Sequence, residues 1–335
     1  MRRVLRCFAG AVLWGLPIGW TADSALYADE PAALPENAIA SIAARRCAAN
    51  PLITLESHEW RGNINGPSVI RAPAWLGGEE GPLAKYYMYA AHHHGKTIRL
   101  AYADALEGPW RVYKPGTLTL EDAAASFKGH IASPDVHVDR ARREIRMYFH
   151  GPAKERRGQW TGVALSQDGL RFEASDEILG RFYFRVFPWR DAYYAISKGN
   201  GWGCLYRSDD GLRDFEMREH FIERMRHCAV TRRGDTLLVF YSRLRDAPER
   251  IVAATVDLSG DWRDWRASAP IDVIAPDEDY EGARYPVKPS RYGSAKRVRQ
   301  LRDPCIFEEG GRTYLFYTIA GEMGIAMAEL DITMK

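Results

Sequence analysis

The stretch His130–Gly151, HIASPDVHVDRARREIRMYFHG, places an acid after a proline, then a charged turn, then a run that ends in aromatic residues. The stretch Leu301–Gly321, LRDPCIFEEGGRTYLFYTIAG, repeats this order near the other end of the chain. Both copies fit two strands joined by a tight turn, because each is bounded by turn-forming residues and is rich in aromatic and β-branched residues. The recurrence of one sequence pattern in two distant parts of the chain indicates a repeat architecture.

The same order occurs in three further places, so that five units follow one another along the chain. Each unit begins with an opening strand: GPSVIRA at 66–72, SPDVHVD at 133–139, FRVFPW at 184–189, HCAVTRR at 227–233 and DPCIFEE at 303–309. An aromatic-rich second strand follows: KYYMYAA at 85–91, IRMYFHG at 145–151, DAYYAIS at 191–197, TLLVFYS at 236–242 and TYLFYTI at 313–319. Four units continue into a hairpin whose turn combines an acid with glycine, as in SQDGL and SDDGL.

Five units of four strands, spanning Asn63 to Met334, predict an all-β protein: a five-bladed β-propeller with four-stranded antiparallel blades. The fifth unit lacks its fourth strand, and an open ring would expose a bare sheet edge. We therefore expect an N-terminal strand, assigned to Ile53–Glu56, to close the ring. The alternative is that these residues form an arm that does not pair with the fifth blade. The propeller then occupies 53–335, and 29–52 is an N-terminal arm in which Ala33–Ala49 is interpreted as a short helix.

The first 28 residues have the layout of a secretory signal peptide. Arg2, Arg3 and Arg6 precede an apolar run from Cys7 to Trp20, which is short for a membrane span, and small residues follow. Cleavage after Ala28, or alternatively at Ser24 or Ala25, predicts a secreted or periplasmic protein with no other membrane segment, and an uncleaved anchor is the alternative to cleavage.

Charge and cysteine content narrow the range of partners. Cleavage would remove three arginines and one aspartate from a chain of formal charge +2, leaving no net charge, so a nucleic-acid partner is not expected. Cys47, Cys204, Cys228 and Cys305 are too widely spaced for a metal signature, and the choice between one disulfide and free thiols stays open. The sequence does not determine the oligomeric state.

In a propeller the openings of the inner strands and the loops between second and third strands lie at one face. Alignment of the five openings puts Ser68, Asp135, Arg185, Ala229 and Cys305 at one level, with Gly66, Ser133, Tyr183, His227 and Asp303 two positions earlier. The loops add His92–His94, Trp160, Trp202 and Glu322, and the long linker Ser268–Val298 adds Glu281. Carboxylates, cations and aromatic rings that converge on one funnel suit a sugar ligand.

The five-unit pattern, the LRDP at Asp303, the SPDV at Asp135 and the AYADALEGPW hairpin at 101–110 resemble glycoside hydrolase family 43 and its five-bladed relatives. The resemblance implies inverting hydrolysis of glycosides by an aspartate base, a tuning aspartate and a glutamate acid. Asp135 matches the tuning position. The base position at the start of blade one holds Gly66 between Asn65 and Pro67, and the acid position in blade three holds Arg185.

The resemblance therefore requires a rearranged catalytic set. We expect Asp303 and Asp135 to act with Glu281 as the acid, and Glu249 or Glu322 as substitutes for Glu281, because inversion needs two carboxyl groups about 6.5–9.5 Å apart. The residues expected to bind substrate are Arg185, His227, His93, Trp160, Trp202 and Asn65. Purely structural roles for these side chains are the alternative, such as an ion pair between Asp135 and Arg185.

The sequence thus predicts an exported glycosidase that acts on a poly- or oligosaccharide by acid–base hydrolysis. A glycan-binding propeller without catalysis is the main alternative, supported by the missing blade-one aspartate, and an interaction scaffold is a third. No cofactor or metal site is expected, although an axial calcium ion stays open. No phosphate-binding glycine loop and no G-x-S-x-G nucleophile motif are present.

Overall fold

The computed structural model describes residues 34–58, 60–293 and 296–335. The predicted signal peptide, 1–28, lies outside these residues. Two strands precede the first blade, β1 (Ile39–Arg46) and β2 (Ile53–Thr54). Blade one contains β3 (Asn65–Arg71), β4 (Tyr86–Ala91), β5 (Thr97–Ala103) and β6 (Arg111–Thr119). Blade two contains β7 (Ala132–Asp139), β8 (Glu144–Pro152), β9 (Gln159–Ser166), β10 (Glu173–Ala174) and β11 (Gly180–Arg181).

The other three blades follow in chain order. Blade three contains β12 (Arg185–Trp189), β13 (Ala192–Lys198), β14 (Trp202–Ser208) and β15 (Glu216–Glu223). Blade four contains β16 (Met225–Arg233), β17 (Thr236–Arg243), β18 (Ile251–Asp257) and β19 (Ile271–Ile274). Blade five contains β20 (Arg302–Glu309), β21 (Arg312–Ile319) and β22 (Gly324–Met334). Two single-turn 3₁₀ helices span Gly78–Glu80 and Asp279–Glu281. The predicted five-bladed, all-β propeller is confirmed.

The ring is closed by an N-terminal strand, as predicted, but a different segment supplies the outer strand. β1 pairs antiparallel with β22 from Ile39 to Arg46, whereas Ile53 and Thr54 add only a two-residue ladder to the same strand. The interpretation of Ala33–Ala49 as a helix is therefore wrong. The unpaired edge of the eleven-residue β22 offers hydrogen bonds that an isolated alanine-rich segment could not match as a short helix.

Five apolar clusters fill the spaces between neighbouring blades. The aromatic second strands also bond to the next blade. The hydroxyl of Tyr89 donates to the carbonyl of Gly169 at 2.8 Å, and that of Tyr148 donates to Gly211 at 2.9 Å. Both glycines lie in the acid–glycine turns with φ near +70°, which glycine adopts without strain. The tyrosine of a second strand and the acid–glycine turn of the next blade thus form one recurring contact between blades.

The cysteines within the described residues are not bonded to one another. Cys47, Cys204, Cys228 and Cys305 are all free thiols, so no disulfide joins them. No helix in this part of the chain has the length and apolar character needed to cross a membrane.

Candidate functional site

Tyr183 divides the centre of the ring into two parts. Its hydroxyl donates from blade three to the carboxylate of Asp303 in blade five at 2.9 Å, so its side chain crosses the axis. The ring of His227 packs on one side at 4.7 Å between centroids, and the Arg185 guanidinium lies 4.4 Å from the ring centroid. The phenol therefore separates the polar groups at the strand openings from those farther along the axis.

The part beyond the phenol is a cavity of about 800 Å³ lined by the inner strands of all five blades, and its exposed residues Arg71, Arg140 and Glu308 place its opening at the opposite face. The five residues predicted at one level, Ser68, Asp135, Arg185, Ala229 and Cys305, all line it, whereas Asp303 does not. The Asp135 carboxylate accepts hydrogen bonds from His137 and from the Val186 backbone N–H, both at 2.8 Å. Burial raises the pKa of Asp135, but His137 and Arg185 outweigh this and hold it below its usual value.

The strand-opening face has a first carboxylate–imidazole pair, Asp303 with His227. Oδ1 of Asp303 lies 3.2 Å from Nδ1 of His227, within hydrogen-bond distance but not aligned with the N–H direction. Oδ2 accepts from Thr318 at 3.1 Å. Burial, followed by the charge of Glu322, raises the pKa of Asp303 to about 6. Burial and the cations of Lys198 and Arg226 hold the pKa of His227 well below its usual value, so its imidazole is neutral.

The second pair is Glu322 with His93, contributed by blades five and one. Oε2 of Glu322 lies 2.8 Å from Nδ1 of His93 and accepts from the Asn63 amide at 2.7 Å. The Asn65 amide lies 3.0 Å from the same imidazole nitrogen. Burial raises the pKa of Glu322, but the contacts with His93 and Arg302 outweigh it and bring the pKa below its usual value. Glu322 is therefore ionised.

Arg302 joins the second pair to a buried ion network. It precedes Asp303 in the chain, and its guanidinium donates to Glu322 at 2.8 Å and to Glu249 at 3.0 Å. Glu249 also accepts from Arg226 at 3.1 Å. All four charges of this network are almost fully buried, and buried pairs of this kind hold a geometry more than they add stability.

Solvent access identifies the groups that a ligand would meet. The side-chain exposure is 1% for Asp303, 8% for His227 and 29% for His93. A ligand that enters from this face therefore contacts the imidazoles before the carboxylates behind them. The arrangement can move protons at two positions, since each imidazole has a carboxylate oxygen within 3.2 Å of its Nδ1.

Lys198 at the end of β13 is a cation that sequence reasoning missed. Its ammonium group lies 5.4 Å from the Phe182 ring centroid and 4.9 Å from that of Tyr292, and it has no hydrogen-bond partner among the described residues. Burial, followed by repulsion from Arg226, lowers its pKa to about 7. A lysine is rarely this buried, and nothing in the motif SKGNG indicates that Lys198 points into the ring.

The structure brings Asp303, His227, His93 and Asn65 together, but it places other predicted residues apart from them. Asp135 and Arg185 lie beyond Tyr183. The Glu281 carboxylate is fully buried and accepts from Arg46 at 2.8 Å, from Tyr317 at 2.8 Å and from two backbone N–H groups. These bonds use both oxygens of Glu281 and keep it away from the two carboxylate–imidazole pairs. Glu249 and Glu322, which were the alternative acids, belong to the ion network of Arg302.

The two predicted tryptophans lie on outer parts of their blades. Trp160 donates to the Arg157 carbonyl at 2.9 Å and carries the Arg156 guanidinium over its ring at 4.8 Å. Trp202 stands edge-on to His220 and lines a second cavity, next to Tyr292. Neither ring contacts the carboxylate–imidazole pairs.

The residues on the axis do not fit a calcium ion. Calcium takes carboxylate and carbonyl oxygens, whereas the axis holds the Arg185 guanidinium, whose Nη2 is buried without a hydrogen-bond partner. Within 34–58, 60–293 and 296–335, no group of three or more His, Cys, Asp or Glu side chains is arranged to hold a metal ion.

Comparison with known proteins gives one sequence relative and many structural ones. The chain is 37% identical over 300 residues to the uncharacterized protein R118 of Acanthamoeba polyphaga mimivirus, which covers 80% of this chain and 83% of that protein. No family model matches the chain.

Solved structures with the same fold include enzymes of glycoside hydrolase family 43 and arabinanases. A β-xylosidase/α-arabinofuranosidase from a compost metagenome, in complex with xylotriose, has a TM-score of 0.58 at 15% identity, with 86% of this chain and 94% of that chain covered. A Xanthomonas citri family 43 enzyme with xylotriose gives 0.57 at 15% identity, covering 85% and 92%. An α-L-arabinanase mutant of Cellvibrio cellulosa gives 0.54 at 14% identity, covering 81% and 90%. The resemblance drawn from the sequence is confirmed at the level of the fold.

Proposed function

The chain belongs to the same family as the uncharacterized mimivirus protein R118, and we propose that it is a carbohydrate-active enzyme that hydrolyses a glycosidic bond. The observation that carries the proposal is the presence of two carboxylate–imidazole pairs, Asp303–His227 and Glu322–His93, at one face of the ring. The fold is shared with xylosidases and arabinanases, which supports a sugar as the ligand.

Each pair has a separate part in the proposed reaction. The neutral imidazole of His227 accepts a proton from water, and the oxygen of that water forms the new bond to the anomeric carbon. The bond from this carbon to the leaving sugar breaks, and His93 gives a proton to the leaving oxygen. Asp303 and Glu322 are positioning residues that stabilise the charged form of each imidazole, and Tyr183 keeps Asp303 in place.

A glycan panel tests this function. The purified chain is incubated with plant and algal oligosaccharides, beginning with xylotriose and arabino-oligosaccharides, and released sugars are measured by chromatography. We expect product from at least one glycan and a loss of about 10²–10⁴-fold in rate for His93→Gln, the usual contribution of a general acid or base. If the chain binds one or more of these glycans but releases no sugar from any of them, hydrolysis is contradicted.

A second candidate, glycan binding without catalysis, is favoured by Gly66. This residue occupies the position at which the resemblance places the base, with φ +55°, and a Cβ there would lie 2.5 Å from Cα of Ser133. No carboxylate fits at this position without moving the backbone, so the usual base cannot be restored by one substitution. Binding without product on the same panel would support this function instead.

Export is part of the proposal. The Arg2–Arg6 positive start and the apolar run to Trp20 support cleavage after Ala28 and a secreted or periplasmic protein. Sequencing the N-terminus of the mature protein tests this, and a retained Met1 would contradict it.

A further inference from the structure

A second cavity lies between blades three and four. It has a volume of about 700 Å³, and its lining residues are Gly201, Trp202, Glu223, Arg224, Leu244, Arg245, Pro289, Ser290, Arg291 and Tyr292. The lining contains three arginines and one glutamate, so positive charge prevails. Two large aromatic rings complete it, of which Tyr292 is 56% exposed and available for stacking.

The cavity shares a wall with the buried site. The hydroxyl of Ser290 accepts from Arg226 at 3.1 Å, and Arg226 bonds Glu249 in the network behind the imidazoles. The Tyr292 ring that lines the cavity has Lys198 against it at 4.9 Å. The cavity therefore adjoins the buried site, and Arg226 and Lys198 lie between the two.

Two of the three arginines are free to bind a ligand. Arg224 donates to the Leu244 carbonyl at 2.9 Å and lies 3.6 Å from Asp246. The side chains of Arg245 and Arg291 are exposed and have no hydrogen bond or ion pair within the described part of the chain. Their positions are nevertheless defined, because the Arg245 N–H donates to the Ser290 carbonyl at 3.0 Å and the Ser290 N–H donates to Asp246 at 2.8 Å.

We propose that this cavity is a subsite for an anionic sugar, carboxylated or sulfated, whose acidic group binds Arg245 and Arg291 while its ring stacks on Trp202 or Tyr292. Guanidinium groups pair with carboxylate and sulfate oxygens through parallel N–H bonds, and aromatic rings pack on the C–H face of a sugar. This inference rests on the proposed function for the reacting site and names the class of substrate that the site would take.

Calorimetric titration with three matched probes tests the subsite: xylotetraose, the same backbone with one glucuronic acid branch, and the same backbone with one sulfate. At least one charged probe should bind about tenfold or more tighter than xylotetraose, the value of about one charged hydrogen bond, and the preference should shrink as salt is added. Arg245→Gln and Arg291→Gln should each remove most of the preference. Arg207→Gln, at the other end of β14 from Trp202, should leave it unchanged.

Failure of the subsite and failure of the enzyme have different signatures. Equal affinity for charged and neutral probes, no binding of either charged probe, or a preference that survives both cavity variants would overturn the subsite. An arginine-dependent preference without any released sugar would leave the subsite standing and contradict hydrolysis. Hydrolysis of the charged probes with a KM that is unchanged in Arg245→Gln and Arg291→Gln would leave the enzyme standing and contradict the subsite.

Discussion

Nδ1 of His227 in blade four lies 3.2 Å from Oδ1 of Asp303 in blade five, and both side chains lie at the face where the inner strands begin. Tyr183 from blade three donates to the same carboxylate oxygen. Three blades thus converge on one carboxylate, which burial and Glu322 make a weaker acid than usual. The ring thus brings together groups that are far apart in the chain.

The first prediction concerns the pH dependence of turnover. Because the pKa of Asp303 is raised to about 6, the pair of Asp303 with neutral His227 can accept a proton only above that pH. We expect kcat/KM to fall as the pH drops below about 6. Asp303→Asn should lower the rate and abolish this limb, whereas Asp139→Asn, at the opposite end of an inner strand, should keep it. A limb unchanged in Asp303→Asn would contradict the assignment.

The same pKa predicts a pH-dependent difference in stability. The folded chain holds the Asp303 proton more tightly than the unfolded chain does, since its pKa is about 6 against 3.8 for an unperturbed aspartate. The contribution of the Asp303 carboxyl to the free energy of unfolding is therefore fully present below pH 4 and is lost as the pH rises to 6. Relative to the wild type, Asp303→Asn should gain stability over this interval, by up to roughly 3 kcal/mol. Denaturant unfolding at pH 4, 5 and 6 measures the difference, and a constant or falling difference would contradict it.

The third prediction separates structure from catalysis at Glu281. Glu281→Gln weakens a buried ion pair with Arg46 and should lower the free energy of unfolding by about 3 kcal/mol. Turnover per folded molecule should stay within about twofold, because the carboxylate bonds Arg46, Tyr317 and backbone N–H groups. Rates measured well below the melting temperature check this. A rate loss above a hundredfold in folded protein would instead support Glu281 as the acid.

The fourth prediction tests the contact between blades. Tyr148→Phe removes the hydroxyl that donates to the Gly211 carbonyl and leaves this buried acceptor without its partner. The expected loss is about 1–2 kcal/mol in unfolding free energy. Tyr113→Phe is the matched control, because the Tyr113 hydroxyl makes no hydrogen bond within the described residues and its removal should cost about 0.5 kcal/mol or less. Equal losses in the two variants would contradict the proposed contact.

The blades could be predicted because their signals are local. Period-two alternation, aromatic second strands and acid–glycine turns are properties of short segments, and each segment forms the strand or turn that it indicates. The alanine-rich segment around Ile39–Arg46 is the exception. Its own composition favours a helix, but the free edge of β22, contributed from the other end of the chain, decides its conformation.

The candidate site was predictable only in part. The alignment of strand openings placed Asp303 and His227 at one level, and the loop positions added His93 and Glu322. The alignment could not show that Tyr183 crosses the axis and separates Asp303 from Asp135, because this separation depends on the direction of the Tyr183 side chain. The burial of Lys198 was equally inaccessible, since a lysine at a strand end normally points to solvent.

The rate of His227→Gln on the best glycan of the panel tests the central claim most directly, with His58→Gln as the control, because the His58 imidazole contacts Ser57 and the Trp110 carbonyl outside the two pairs and the second cavity. We expect kcat/KM to fall by about 10²–10⁴-fold for His227→Gln and to stay unchanged for His58→Gln, with both variants folded at the assay temperature. A folded His227→Gln variant that hydrolyses the glycan at the wild-type rate would contradict the account.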